Sequence, residues 1–395
     1  MAKSKITKFG LWALAVLIVL YTAFRIIAPP MLEKSLNKRL DYSAQQPSVT
    51  AAALQADMTI MDWHTDSLLW DRNILERADY GHADIPRLQN AGFDLMMFTA
   101  VTKSPRGQNI EENTGDSDNI TPLVIAQGWP FRTWSSLLER AIYQAEKLDE
   151  AVSTSNGALM WVRNKTELNQ ILNKREQAAT TRPTIGALLG AEGAHPLEGK
   201  LANIDRMYAA GYRMMGITHF FDNQLAGSLH GVSNSGLTAF GRKAIQRFDE
   251  LEIIIDLAHV SETAAWEILA QSIRPQVVSH TGFKGNCNTD RNFSDDLMKA
   301  IAEKGGLIAV GFWEQAVCTP TPDGIASALI YGVGLVGEDH VVIGSDWDGS
   351  TTSLTADDFP LITEALLVKG VPEATIRKIM GGNSIAFLQR WLPTK

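Results

Sequence analysis

Short apolar runs alternate with longer, helix-like segments along the chain from residue 57 onward. Near-continuous apolar strands are typical of a parallel sheet that is buried on both faces, and eight of them separated by helices predict a (β/α)8 TIM barrel with insertions. A doubly wound open sheet is the alternative, but no G-x-G-x-x-G sequence opens the first crossover. The predicted strands are residues 58–63, 93–101, 184–192, 213–219, 253–259, 276–280, 307–312 and 341–348.

Most of these strands end in a side chain that binds metals. His64 and Asp66 follow the first strand two residues apart, so they are expected on the same side of it. Because the carboxyl ends of all strands meet at one face of a barrel, the other strand-end residues are expected to join them there. Those residues are Glu192, His219, His259, His280 and Asp346.

Imidazoles and carboxylates together suit zinc, with manganese or iron as alternatives. One ion needs three or four protein ligands, so this set is large enough for two ions. Two metals 3.5–4 Å apart hold and acidify a bridging water and polarise a carbonyl group, as in metal-assisted hydrolysis. The pattern therefore predicts a metal-dependent hydrolase.

The first residues have a different composition. Three lysines precede residues 9–27, which are apolar except for Arg25. This pattern is typical of a membrane anchor or of a cleaved secretory signal, and the absence of an A-x-A sequence after it favours the anchor. We predict an anchor over residues 1–27, a linker over 28–56 and the catalytic domain over 57–395, outside the cytoplasm because the lysines precede the span.

The formal net charge of the 395-residue chain is −8, and no basic cluster follows the first forty residues. This charge argues against nucleic acid as a partner. Homodimer formation is left open.

Several motifs resemble those of the membrane dipeptidase (renal dipeptidase) family of binuclear zinc peptidases, over roughly residues 57–392. They match in order and in spacing: "DWHTD", "GAEGAHPL", "GITHFFDNQLAGS", "IIIDLAHVS", "SHTGFKGNCNTDRNFSDD", "IGSDWDG" and "GGNSIAFL". The resemblance implies a barrel-type dipeptidase that cleaves its substrate by attack of a metal-bridging hydroxide.

The resemblance also implies a ligand set. One zinc ion would be bound by His64 and Asp66, and a second by His259 and His280. Glu192 would bridge the two ions together with a water or hydroxide.

Three further residues take roles in the reaction by the same resemblance. His219 would contact the substrate and the oxyanion, and Arg291 would hold the terminal carboxylate of the substrate through paired hydrogen bonds. Asp346 would accept and donate a proton beside the bridging water. His195 matches a family histidine and is interpreted, like Asp348, as a support for the site from outside the ligand set.

Two cysteines, Cys287 and Cys318, follow the sixth and seventh predicted strands. Similar family members have a disulfide at these positions, which suits a domain outside the cytoplasm.

Asp256 lies inside a predicted strand and is interpreted as structural.

Two stretches depart from the family pattern, "LMMF" at residues 95–98 and "WEQAV" at 313–317. Both are expected near the side chain of the substrate, so the resemblance predicts the chemistry better than the specificity.

A membrane-anchored zinc dipeptidase is the expected function. One alternative is another binuclear amidohydrolase that acts on N-acyl amino acids or lactams; Arg291 argues against neutral substrates, because a buried arginine needs an anionic partner. The other is a non-catalytic, metal-stabilised binding protein of the envelope, which a turnover assay would distinguish.

Overall fold

The computed structural model of the protein describes residues 2–42, 45–177 and 183–394. Within these ranges, nine strands form one sheet in which every pairing is parallel. Strands β1 to β9 are Met61–Thr65, Leu95–Val101, Leu159–Trp161, Ile185–Glu192, Met214–Gly216, Ile254–Asp256, Val277–Thr281, Leu307–Val310 and Val341–Ile343.

Eight of these strands close into a barrel. Their order is β2-β1-β9-β8-β7-β6-β5-β4, and β2 also pairs with β4 along its whole length, from Leu95 opposite Gly186 to Val101 opposite Glu192. The predicted (β/α)8 barrel is confirmed. The additional strand β3 was not predicted; it pairs only with the first residues of β4 and belongs to the long connection between β2 and β4.

Helices surround the barrel, and several begin at a serine, threonine or aspartate whose side chain accepts a hydrogen bond from a backbone N–H of the first turn. A π-helical turn, Lys378–Gly382, precedes the last helix. Helices α1 to α15 are Ala2–Leu36, Val49–Asp57, Ile85–Asn90, Ile120–Ala126, Leu137–Thr154, Lys165–Gln177, Ala202–Ala209, Ala239–Glu250, Glu262–Gln271, Asp295–Glu303, Glu314–Val317, Pro322–Val336, Pro360–Val368, Glu373–Arg377 and Asn383–Trp391.

One apolar cluster fills the lower part of the barrel, below the carboxyl ends of the strands. Every strand of the closed barrel contributes at least one side chain to this cluster. Its strand members are Met61, Trp63, Leu95, Met97, Leu188, Met214, Ile254, Val277, Leu307, Ala309 and Val342. Side chains alternate along a strand, so the residues two positions beyond Ile254 and Val277 also point inward, above this cluster. These residues are Asp256 and Ser279, and both are buried.

The amino-terminal segment is helical. Helix Leu11–Leu36 is long and apolar enough to cross a membrane, by length and composition. The segment predicted as a linker, residues 28–56, contains the end of α1 and nearly all of α2, and α2 buries Ala51 and Leu54 against the rest of the domain. The division of the chain into anchor, linker and catalytic domain stays a prediction.

Candidate metal centre

The side chain of Glu192 lies at the centre of a ring of imidazoles at the carboxyl end of the barrel. Its Oε1 atom is 3.2 Å from Nε2 of His259, 3.3 Å from Nε2 of both His219 and His280, and 3.6 Å from Nε2 of His64. All five side chains are buried. One carboxylate oxygen therefore faces four ring nitrogens at distances that suit ligands grouped around a cation.

Two further carboxylates lie beside His64. Its Nε2 atom is 3.5 Å from Oδ1 of Asp66 and 3.9 Å from Oδ1 of Asp346. The ligand atoms fall into three overlapping groups, each within 4.8 Å: His64 with Glu192 and His280; Glu192 with His219 and His259; His64 with Asp66 and Asp346. Glu192 and His64 each belong to two groups, so the arrangement has room for more than one ion.

The electrostatics of the centre fit a bound cation. Burial and the nearby charge of Asp66 raise the pKa of Glu192 well above its ordinary value, and burial raises the pKa of Asp346 to about 6. Burial lowers the pKa of His64, but the charges of Asp66 and Glu192 outweigh it and raise that pKa to about 10. Buried carboxylates this close together repel one another, and a divalent ion would relieve that repulsion.

Two of the imidazoles are held in the form that binds metals. Burial, with the positive charge of nearby groups such as Arg291, lowers the pKa of His259 and of His280 well below the ordinary value, so both rings are neutral.

Nε2 of His64 is buried and has no hydrogen-bond partner among the described residues. A buried nitrogen without a partner is costly, and a metal ion would satisfy it.

The hydroxyl of Ser279 orients two of these rings. Its Oγ donates to Oδ2 of Asp256 at 2.7 Å and lies 3.2 Å from Nδ1 of His64 and 2.9 Å from Nδ1 of His280. Because its only proton points to the carboxylate, the oxygen accepts from both Nδ1–H groups. Both Nε2 atoms face Glu192 and are the atoms that would bind a metal; without a metal, the raised pKa of His64 keeps a proton on its Nε2 as well. The sequence interpretation of Asp256 as structural missed this link, which the alternation Ile254–Asp256 and Val277–Ser279 could have indicated.

Irregular backbone aims several ligands. The pairing of β1 with β2 shifts register between Asp62 and Thr65, and that of β7 with β8 shifts between Val278 and Thr281, so His64 and His280 both lie at irregularities. Such bulges redirect side chains next to active sites. His259 and Asp346 have left-handed backbone conformations, with φ of 64° and 60°. The hydroxyl of Thr218 donates to the His259 carbonyl at 2.9 Å and helps to hold that conformation.

Arg291 lies beside the ring of imidazoles. Its Nη2 donates to the carbonyl oxygen of His280 at 2.9 Å and lies 3.3 Å from Nε2 of His259, and its guanidinium stacks over the ring of Trp313. Burial lowers its pKa to about 10, so it is charged at neutral pH. Nη1 is buried without a hydrogen-bond partner in the described part of the chain. This nitrogen is available to an anionic ligand.

Hydroxyl groups hold two of the carboxylates. The Thr99 hydroxyl donates to Oδ1 of Asp66 at 2.7 Å, and the Thr351 hydroxyl donates to Oδ2 of Asp346 at 2.7 Å. In Asp66 the oxygen that accepts this bond, Oδ1, also lies 3.5 Å from Nε2 of His64. For Asp346 the remaining oxygen is the one that faces His64.

Asp348 joins the loops of the site and does not face the ligand atoms directly. Its carboxylate accepts hydrogen bonds from the Ser67 hydroxyl, the Arg72 guanidinium and the backbone N–H of His82. Burial raises the pKa of Asp348, but the charge of Arg72 outweighs it and holds that pKa below the ordinary value. An anion at this position therefore fixes the loops that follow β1 and β9.

His195 stacks on Phe221 with ring centroids 4.4 Å apart, and its Nδ1 lies 3.4 Å from the Asn223 amide. Its predicted support of the ligand set stays a prediction. Cys287 and Cys318 form a disulfide with their Cα atoms 5.5 Å apart, which joins the loops after β7 and β8.

A cavity of about 480 Å³ opens onto the candidate metal ligands. Asp66, Glu192, His219, His259 and Asp346 line its floor together with Arg291. Apolar side chains line much of the remainder, among them Leu32, Leu69, Trp70, Ile120, Leu123 and Trp313.

Residues 49–390 match the family model of membrane dipeptidases, peptidase family M19. The chain belongs to the membrane dipeptidase family. The match covers the whole barrel and every candidate metal ligand at its carboxyl end, and it begins after α1. The predicted family and the predicted class, a metallo-dipeptidase type of peptide hydrolase, are confirmed.

Two of the curated relatives of this membrane dipeptidase align with part of the chain. An uncharacterized protein from the pqqA 5′ region of Klebsiella pneumoniae is 29% identical over 214 residues, 50% of this chain and 79% of that protein. An uncharacterized dipeptidase of Schizosaccharomyces pombe is 30% identical over 174 residues, 42% of each protein. The chain thus aligns with less than half of the fungal relative.

Solved structures show the same barrel. The probable dipeptidase PvdM from Pseudomonas aeruginosa has a TM-score of 0.71 and 18% identity, over 87% of this chain and 98% of that chain. A metallopeptidase from Rhodobacter sphaeroides, liganded with a phosphinate mimic of the dipeptide L-Ala-D-Ala, has a TM-score of 0.67 and 20% identity, over 85% and 99%. At these identities the likeness shows the fold.

Proposed function

We propose that this protein is a zinc-dependent dipeptidase, anchored to a membrane by α1, with its barrel outside the cytoplasm. The observation that carries the proposal is the position of Glu192, whose Oε1 lies 3.2–3.6 Å from four imidazole nitrogens beside a buried, charged Arg291. The family match and the metallopeptidase structure with a dipeptide mimic support it.

Two zinc ions fit the donor set. His64 and Asp66 would hold one ion, His259 and His280 the other, and Glu192 would bridge them. When bound, the ions supply an acidified water as the nucleophile and polarise the scissile carbonyl.

The residues around the ligands bind and orient the substrate. Arg291 binds the terminal carboxylate through its unpartnered Nη1, and this anchoring aligns the peptide bond over the metal ligands. His219 contacts the substrate carbonyl as negative charge develops on its oxygen. That contact needs a proton on Nε2, the ring nitrogen that lies 3.3 Å from Oε1 of Glu192.

Asp346 moves the proton. Its carboxylate takes a proton from the attacking water and passes it to the nitrogen of the leaving amino acid. Thr351 fixes Oδ2, so the exchange takes place at Oδ1, the atom that faces the ligands.

The proposal is tested with purified full-length protein and a panel of L,L and L,D dipeptides. We expect turnover that a chelator abolishes and zinc restores. Arg291→Met should mainly raise KM, because each lost charge-assisted hydrogen bond is worth about 1.5–3 kcal/mol. Asp346→Asn keeps the shape but accepts no proton, so kcat should fall by roughly 10²–10⁴ with zinc retained.

Other outcomes would favour the alternatives. Hydrolysis of N-acyl amino acids or lactams without any dipeptide turnover would indicate another amidohydrolase. Stoichiometric zinc without turnover of either class would indicate a binding protein.

A further inference from the structure

We propose that the carboxyl-terminal end of α1 is a wall of the substrate cavity, and that Leu32 and Leu36 make the enzyme prefer dipeptides with a large apolar amino-terminal residue. This inference rests on the proposed dipeptidase function and adds the substrate class. Both leucines line the cavity that contains Glu192 and Arg291. They lie outside residues 49–390, the part of the chain that the family model matches.

The two leucines offer apolar surface to a ligand. Leu32 is 40% exposed and Leu36 is 43% exposed, although both lie on the part of α1 that packs against the domain. Between them, Glu33 is 2% exposed. The helix thus buries one face in the domain and keeps two large apolar side chains open to the cavity.

A buried ion pair fixes this end of α1. Oε1 of Glu33 accepts a hydrogen bond of 2.6 Å from Nε of Arg72, and the same guanidinium donates to the carboxylate of Asp348. Because Arg72 and Asp348 lie in the loops after β1 and β9, the pair joins the helix to the rim of the barrel.

Hydrogen bonds just beyond the helix repeat this attachment. Oδ1 of Asn37 accepts from the backbone N–H of Ser350 at 2.9 Å, and the N–H of Leu40 donates to the carbonyl of Ser353 at 3.0 Å. The end of α1 therefore has a defined position over the cavity, as a specificity-determining wall requires.

The strand order places this wall across the cavity from Arg291. Arg291 follows β7, and in the closed ring β2 lies four strands from β7 in either direction. Helix α1 contacts α4, which follows β2. Its Glu33 is bonded to Arg72 in the loop after β1, and Asn37, just beyond the helix, is bonded to Ser350 in the loop after β9. The apolar cavity lining contributed by α1, α4 and the segment after β1 consists of Leu32, Leu36, Leu69, Trp70, Ile120 and Leu123.

This geometry assigns a direction to the substrate. A dipeptide whose carboxylate is bound by Arg291 extends its amino-terminal residue toward the leucines of α1. A large apolar side chain at that position would remove both its own surface and the surface of the leucines from water. A glycine would leave the leucines hydrated.

The test uses the full-length protein and three dipeptides, Phe-Gly, Gly-Gly and Gly-Phe. The double variant Leu32→Ala/Leu36→Ala should lower kcat/KM for Phe-Gly by about tenfold or more, since even one methylene in an apolar pocket discriminates about 10–200-fold. Values for Gly-Gly should change less than about twofold. The matched control is Met31→Ala, a residue that is 66% exposed and outside the cavity lining.

A second variant keeps the proposal testable if the double alanine variant does not fold. Leu36→Trp fills the cavity without removing apolar surface, and it should lower turnover of Phe-Gly while Gly-Gly is still cleaved. An unchanged ratio of Phe-Gly to Gly-Gly in both variants would overturn the proposal. Loss of Gly-Phe turnover instead would show that the wall receives the carboxyl-terminal residue, which also contradicts it.

A binding measurement separates this inference from the proposed function. Calorimetric Kd values of the phosphinate analogues of Phe-Gly and Gly-Gly are compared in the wild type and the double variant. The wild type could cleave no dipeptide but still bind the Phe-Gly analogue about tenfold more tightly than the variant does. That result would support the proposed wall and contradict the proposed dipeptidase reaction. If neither analogue binds the wild type, both fail.

Discussion

The hydroxyl of Ser279 lies between Nδ1 of His64 and Nδ1 of His280, and its proton is directed to Asp256. One small side chain therefore orients two imidazoles with Nε2 toward Glu192. Outer partners of metal-binding histidines typically contribute 10- to 100-fold to metal affinity.

We expect Ser279→Ala to lower the zinc affinity of the purified protein by about 10- to 100-fold, measured by competition with a chromophoric chelator. The control is Ser384→Ala, because Ser384 is equally buried but accepts its hydrogen bond from Trp63, whose side chain belongs to the apolar cluster of the barrel. Equal zinc affinity in both variants would show that the hydroxyl does not position the rings.

His195 provides a prediction about pH. Burial lowers its pKa to about 3, whereas an unfolded histidine titrates near 6.5. Between these values the unfolded chain binds one proton more than the folded chain, so this contribution to stability is complete above pH 6.5 and is lost as the pH falls.

We expect the free energy of unfolding of the wild type to fall more steeply below pH 6.5 than that of His195→Gln. The difference should be at most about 1.4 kcal/mol for each pH unit, because only one proton is involved. Urea denaturation at pH 7, 6 and 5 measures it. Parallel pH profiles for the two proteins would contradict the neutral state of His195.

At the scale of elements, the apolar runs predicted eight strands because a strand buried on both faces has little polar sequence. Strand β3, Leu159–Trp161, was missed although β5, β6 and β9 are equally short; it lies outside the closed ring, in the long connection between β2 and β4. The same pattern predicted the candidate metal ligands at the strand ends, and their assignment as ligands stays a prediction. Alternation alone does not reveal the register shifts at His64 and His280 or the left-handed conformation of His259, which depend on pairing with neighbouring strands.

The loops after β7 and β8 form one unit through the disulfide of Cys287 and Cys318, which encloses Arg291 and Trp313. In the chain-entropy account, a cross-link of this span restricts the unfolded chain by about 3–4 kcal/mol. We expect Cys287→Ala/Cys318→Ala to lose about that much stability and to raise KM, because Arg291 is then held less firmly. Peptide mass spectrometry of non-reduced protein checks the link itself, and free, alkylatable thiols in protein from the envelope would contradict it.

At the scale of the whole molecule, the barrel and the amino-terminal apolar helix were both predicted, but their connection was not. Residues 28–36 read as the start of a linker because Pro29 and Pro30 follow the apolar stretch. The helix continues through them, and the ion pair of Glu33 with Arg72 joins it to the rim of the barrel. Such a contact between distant parts of the chain leaves no periodic signal in the sequence.

The same helix leads to a prediction about the orientation of the chain in the membrane. If α1 is an uncleaved anchor with its amino terminus in the cytoplasm, a reporter enzyme that works only outside the cytoplasm should be active when fused to the carboxyl terminus. The protein should also stay with the membrane after a high-salt wash. A soluble mature protein that begins near residue 28 would show a cleaved secretory signal instead.

The proposed function depends on a two-metal centre bridged by Glu192, and a zinc titration of the chelator-stripped protein tests for it. We expect dipeptide hydrolysis to rise with added zinc and to become constant at two equivalents per chain. Under the same conditions Glu192→Gln should bind both ions weakly and show little activity. Full activity at one equivalent, or without any metal, would contradict a two-metal centre.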